Sequence, residues 1–429
     1  MLSTIGTMGK GRVENVSVCS LQTLQDRLIQ FSFFNLFLVA LLGVLLRAFP
    51  FLGSFPFSYK NVLHGHSHFA FGGWVMPILL ALVIKYFPVI SQKVGYRHWR
   101  NIAVLLFFSA YGMLVSFPIQ GYKAVSIFFS TLSVAAGYYL AIVIWMALRN
   151  EAKTTGTRFL QWGLVYLSLS AIGPFATGPL IVLGYQGSPL YYNAIYYYLH
   201  FQYSGWFTFA VLAVLYQLIG LGSSGNSKKV FVLLNAACVP TFFLSVLWNK
   251  PGLIFNVIGG LGALLQLVAL YFLLKDLVAY KKRAALGGLF TLSLVAFCLK
   301  LVLQQLSAFT VFASMAYQYR NFVIAYLHLV LLGFITLFVF SAIFKAYPIK
   351  QNGWLERGVL FFLLSFVATE FLLVLHAWGG KVGFAIPGYT QLLLAGSIGF
   401  PIGVLMAYSQ IHGCNTDSQR LLQKSWVTK

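Results

Sequence analysis

A chain of 429 residues, 59% hydrophobic and 8% charged, with a mean hydropathy of +0.83, is too apolar for a water-soluble protein and reads as a polytopic helical membrane protein. Its formal charge of +22 would point to nucleic acid in a soluble chain. In a membrane chain it reports sidedness and attraction to anionic lipid, so the bilayer is the expected partner and nucleic acid is not.

Taken in order, runs long enough to cross about 30 Å of hydrocarbon fall near 29–49, 66–86, 101–120, 124–147, 160–183, 199–220, 229–248, 252–274, 286–307, 322–345, 358–377 and 385–409. The expected fold is therefore an all-α bundle of twelve transmembrane helices. Residues 1–28 form a cytoplasmic segment, 29–409 a single membrane domain, and 410–429 a cytoplasmic tail. The polar start precedes an apolar run of full membrane length, which argues against a cleaved signal peptide.

Basic residues alternate in step with these runs. Lys10, Arg12 and Arg27, then clusters within 85–100, 149–158, 228–229, 275–283, 345–357 and 420–429, fall on one side. Arg47, Lys60, Lys123, Lys250, Arg320 and Lys381 fall on the other. By the positive-inside rule both termini are cytoplasmic, and a bacterial-type inner membrane is the expected location. No internal repeat is evident at this level. Cys19, Cys238, Cys298 and Cys414 show no Cys-x-x-Cys spacing, so no zinc ribbon, covalent c-type haem or disulfide framework is expected.

With this orientation, six of the eight histidines share the outer leaflet. His64, His66 and His68 enter the second run, His200 the sixth and His328 the tenth, while His376 closes the eleventh. His98 and His412 read as ordinary surface residues. On a helix His64 and His68 share a face, whereas His66 points about 200° away from His64. Imidazole held in lipid needs a hydrogen-bond partner or a metal; an interfacial setting is the alternative for His64 and His68, and a hydroxyl-capped core site for His200.

Glu370 is the one carboxylate expected deep in a span, paired with a base or partly protonated. Lys300 and Gln304 share a helical face, from which Lys300 either snorkels or neutralises Glu370 or a haem propionate. Tyr191, Tyr192, Tyr196, Tyr197, Tyr198, Tyr203, Trp206, Tyr317 and Tyr319 read mainly as an interfacial aromatic belt. Arg320 suits a propionate or lipid phosphate.

Twelve spans with histidines entering the second, sixth and tenth from outside resemble the haem-copper oxidase subunit I superfamily, which includes the large subunit of nitric oxide reductase. His66 followed by Met76-Pro77 resembles the second-span ligand of its low-spin haem, and Tyr326-Leu327-His328 resembles its tenth-span His-x-His. The resemblance implies His66 and His328 as axial ligands of a b-type haem. Tyr326 stands where the family has the high-spin haem ligand, a position from which tyrosine can also bind iron.

The remaining family ligands are mostly missing. His200 resembles the single sixth-span ligand, and Ser204 stands at a glutamate position before a matching Gly205; the seventh run has no histidine. A complete binuclear centre is therefore not expected.

The leading expectation is a cytochrome-like membrane protein for electron transport, haem handling or response to nitric oxide or oxygen, with a quinone or cytochrome as redox partner. A second is a non-haem metal ion held by His64 and His68 with His200, Glu370 or His376, in a metal-binding protein or metal transporter. A third is a secondary transporter or structural membrane component.

Overall fold

The computed structural model describes residues 4–221, 225–280, 286–346 and 353–427, with side chains described within 20–411. Every regular element among the described residues is helical. Eleven helices are long and apolar enough to cross a membrane: α1 (Ser20–Phe51), α2 (Tyr59–Tyr86), α3 (Tyr96–Gln120), α4 (Ala124–Leu148), α5 (Thr155–Val182), α7 (Gly225–Asn249), α8 (Leu253–Ala279), α9 (Gly287–Leu306), α10 (Arg320–Ala346), α11 (Gly353–Val382) and α12 (Tyr389–Ile411). The chain is thus a multi-pass membrane protein whose surroundings are lipid.

Residues 189–219 form a helix, α6, where the sixth span is expected, though it is not among the eleven of that apolarity. Tyr191, Tyr192, Asn193, Tyr196, Tyr197, Tyr198, His200 and Gln202 crowd its first half and dilute the apolar second half.

Two helices continue past the ends expected of the membrane domain. Helix runs unbroken from Thr4 to Ala48, across the limit placed at residue 28. The last helix continues from Tyr389 to Val427, past the tail boundary at 410.

Outward-facing apolar residues follow helical spacing. Val104, Phe108, Val115 and Ile119 are exposed along α3, and Leu360, Leu364, Val367 and Phe371 along α11. In water such stripes would be costly, whereas in lipid they meet a solvent of their own kind. The converse holds for α2 and α10, whose apolar windows are 78% and 56% buried inside the protein against 44% or less in the other nine. The helices carrying His64, His66, His68 and His328 are therefore interior ones.

Contacts divide the chain into two compact units. The first comprises Met1–Arg149, Pro348–Ser365 and Leu394–Lys429; the second comprises Asn150–Tyr347 and Phe366–Leu393. His64, His66 and His68 belong to the first, and His200, Lys300, Arg320, Tyr326, His328, Glu370 and His376 to the second.

Candidate functional site: three histidine-headed helices

In α2, α6 and α10 the regular helix widens into π-helix just after a histidine. The wide segments are Ala70–Val75, Phe201–Phe207 and Leu329–Thr336. Such wide turns misalign the backbone ladder and are retained mostly where a site needs the altered geometry.

Around them a single pattern recurs, which corrects the expectation of no repeat. It reads Tyr59-x-Asn61-x6-His68-x4-Gly73-Trp74, then Tyr191-x-Asn193-x6-His200-x4-Gly205-Trp206, then Tyr319-x-Asn321-x6-His328-x4-Gly333-Phe334. The histidine that matches His200 and His328 is His68. His66 instead matches Tyr198 and Tyr326.

Several positions in the pattern make corresponding contacts. The asparagines reach the end of the next helix in the chain. Asn61 Nδ2 donates to the Pro118 carbonyl at the end of α3 (3.5 Å), and Asn193 Oδ1 accepts from Asn249 at the end of α7 (3.5 Å). Asn321 Nδ2 contacts His376 Nδ1 near the end of α11 (3.0 Å) and also Tyr389 (2.9 Å).

The aromatic residue packs back on the preceding helix. Trp74 meets Phe33 of α1 edge-on at 5.6 Å, and Phe334 meets Phe297 of α9 at 4.7 Å. Trp206 abuts Gly163 of α5 and is fully buried, so it is core and not part of an interfacial belt.

Glycine is required where these helices crowd. A Cβ on Gly205 would lie 2.6 Å from Tyr166 Cβ, and one on Gly333 2.7 Å from the Phe366 ring. At Gly73 the Phe69 ring would be 2.7 Å away. Carbonyls displaced by the wide turns find side-chain donors. Thr208 and Thr336 hydroxyls donate five residues back, to Tyr203 O and Leu331 O, and Asn35 Nδ2 donates to Gly73 O at 2.7 Å.

The histidines face the next-following span or the turn after it, each with a different partner. His68 Nε2 sits 2.9 Å from the Tyr122 hydroxyl, its ring stacked on Phe117 at 4.4 Å. His64 lies against the same Tyr122, ring to ring at 4.7 Å. The shared helical face of His64 and His68 is thus occupied by Tyr122 and Phe117.

His200 is 1% exposed, and its Nε2 is 2.8 Å from the Cys238 carbonyl of α7. Pro240 explains why that carbonyl is available. Proline lacks an N–H and clashes with a regular α-turn, and from Pro240 to Asn249 the helix tightens to 3-10. Phe242 N–H then bonds Val239 O instead of Cys238 O. His200 and the Thr241 hydroxyl take up the orphaned oxygen.

His328 turns Nδ1, not Nε2, to its following span, where Glu370 Oε1 is 3.4 Å away. Glu370 therefore sits by His328. Lys300, 1% exposed, donates instead to Gln304 Oε1 at 3.3 Å, as their shared face predicts. Nor is Glu370 the one carboxylate inside a span: Asp276 of α8 is 2% exposed and accepts from the Tyr216 hydroxyl at 2.9 Å.

The other expected residues are distributed as follows. His66 is half-buried, its Cε1 3.5 Å from where a Cβ on Gly43 of α1 would stand, so the ring rests against the bare backbone there. Tyr326 lies beside Tyr203, ring centroids 6.2 Å apart. Arg320 interacts electrostatically with Tyr196. His376 stacks on Tyr389 at 3.8 Å. His98 is exposed and meets Tyr139, while the side chains of His412, Cys19 and Cys414 lie outside those described. Among the described residues, no three His, Cys, Asp or Glu side chains gather as a metal-binding group.

No known protein-family model and no curated protein sequence matches this chain. The site therefore has to be read from its own residues. Of the recurrent histidines, His68 and His200 spend Nε2 on the next-following span or the turn after it, and His328 presents Nδ1 to a carboxylate. That difference sets the third site apart chemically.

Proposed function

We propose that the chain is a b-type haem protein, with His328 as an axial ligand, serving one-electron transfer, haem handling or a response to nitric oxide or oxygen. The observation that carries this reading is the His328–Glu370 geometry. A ligating imidazole characteristically gives its second N–H to a carboxylate, which fixes the tautomer and leaves the other nitrogen's lone pair for the metal.

A haem held by imidazole supplies one-electron chemistry with little rearrangement. In this chain Glu370, in ion-pair contact with His328 Nδ1 at 3.4 Å, would orient the ring. Oxygen reduction is not part of the proposal. His200 is engaged with a carbonyl, Tyr326 stands at the tenth-span position two residues before His328, and α7 contributes no histidine, so a second metal would lack the imidazole set that such chemistry uses. A cytoplasmic membrane with both termini inside, and a quinone or small cytochrome as redox partner, complete the reading.

The test is a reduced-minus-oxidised spectrum and a pyridine haemochrome assay on protein produced with haem supplied. One haem per chain is expected, lost in H328A but kept in H68A. Folded wild-type protein that never takes up haem would sink the proposal.

A further inference from the structure

The second unit buries a lysine amine for which the described protein residues supply no negative charge. Lys300 of α9 is 1% exposed, and Gln304 Oε1, at 3.3 Å, is its one hydrogen-bond acceptor among the described residues. An ammonium has three donors, and no carboxylate among the described residues lies within ion-pair distance of it. Its electrostatic neighbours are His200 of α6 and Cys238 of α7, both 1% exposed.

Neither neighbour brings compensating charge. A carbonyl can only accept, so His200 Nε2 carries a proton in its bond to Cys238 O. Any second proton on that ring would add to the positive charge. The Tyr166 hydroxyl donates to Asn235, at 3.0 Å to the carbonyl and 2.8 Å to Oδ1, and is neutral. Cys238 is a buried free cysteine, and a thiol in apolar surroundings stays protonated. Half-buried Glu370 and buried Asp276, in the same unit, sit by His328 and Tyr216.

We propose that Lys300 and Gln304, with His200 close by, form an internal binding site for an oxygen-bearing monoanion: a small free carboxylate, or the carboxylate arm of a larger bound molecule. Lys300 supplies charge and donors, the Gln304 amide a further N–H, and His200 Nδ1 an acceptor for a protonated partner. In lipid-buried protein a charge of this kind persists when it is paired. The site does not depend on the haem proposal, because its ligand need not be porphyrin and its readout is not spectral.

The experiment uses the full chain in lipid nanodiscs, without porphyrin. Its unfolding midpoint is measured as sodium formate replaces sodium sulfate at constant ionic strength, with native mass spectrometry of the same samples. A free anion gives a saturable rise of about 2 °C or more in wild type and in K300R, absent in K300M. A resident carboxylate arm gives instead a co-purifying organic acid in wild-type spectra that is missing from K300M. If formate has no effect, no acid co-purifies, and K300M unfolds at or above the wild-type temperature, Lys300 is a neutral packed amine and the proposal fails.

Discussion

His200 Nε2 and the Cys238 carbonyl oxygen meet at 2.8 Å where the 3-10 turn that begins at Pro240 draws the Phe242 N–H away to Val239 O. A histidine on one helix thus repairs a defect that proline makes in another. Replacing His200 by Ala should cost about 1–3 kcal/mol, the penalty for stranding a buried polar group. In a P240A background Phe242 N–H can return to Cys238 O, so the same H200A change should cost less. Denaturant unfolding of the four proteins in the cycle measures the coupling, and strict additivity would show that the two residues are unrelated.

The recurrent glycine makes a prediction about size alone. G205A and G333A each force a methyl group toward side-chain carbons under 3.0 Å away, which should destabilise by about 1–3 kcal/mol. Gly178 of α5 has nothing within 4 Å, so G178A should leave the unfolding midpoint nearly unchanged. Equal effects at all three positions would mean that crowding is not why glycine recurs.

Tyr216 and Asp276 offer a test at the far end of α6. Y216F removes the donor to a carboxylate that is 2% exposed, and about 1–3 kcal/mol should be lost. Adding D276L should recover part of that loss, because the uncompensated carboxylate leaves with it. Chemical unfolding of Y216F, D276L and the double variant decides the point.

For the haem proposal, Glu370 is expected to act through His328. E370A should weaken haem retention about 10–100-fold, the usual cost of losing a carboxylate behind a ligating imidazole, while E370Q, which keeps an oxygen acceptor, should lie closer to wild type. Haem titration of the apoprotein reads both. H376A, on the same helix but stacked on Tyr389, should titrate like wild type.

Much of the architecture was legible from residue types. Apolar length located the helices, and the 3.6-residue period put Lys300 with Gln304 and His64 with His68 on common faces, as found. α6 stands outside the eleven because its aromatic hydroxyls count little by eye and much in transfer energy. The recurrence of Tyr, Asn, His, Gly and an aromatic residue was also in plain sight, but its members are spread over sixteen positions and mean little until the structure shows several making corresponding contacts. Scanning for Asn-x6-His-x4-Gly would have exposed it.

Partner choice was not legible. Nothing in the sequence says that Pro240 frees a carbonyl for His200, or that Glu370 goes to His328 while Lys300 turns to Gln304. Those outcomes depend on which helix lies beside which. Asp276 escaped notice because it lies just past the end assigned to the eighth apolar run, two residues beyond where hydrophobicity fades.

Three nearly interchangeable helix entrances in one chain create a sorting problem during insertion, since any of them has the shape to settle against the wrong companion. The phenol of Tyr122, the bare carbonyl of Cys238 and the carboxylate of Glu370 act as separate keys, and a histidine mated to a stranger's key would meet a different charge and a different reach. Diversity among those partners is therefore what lets a thrice-used pattern assemble in only one order.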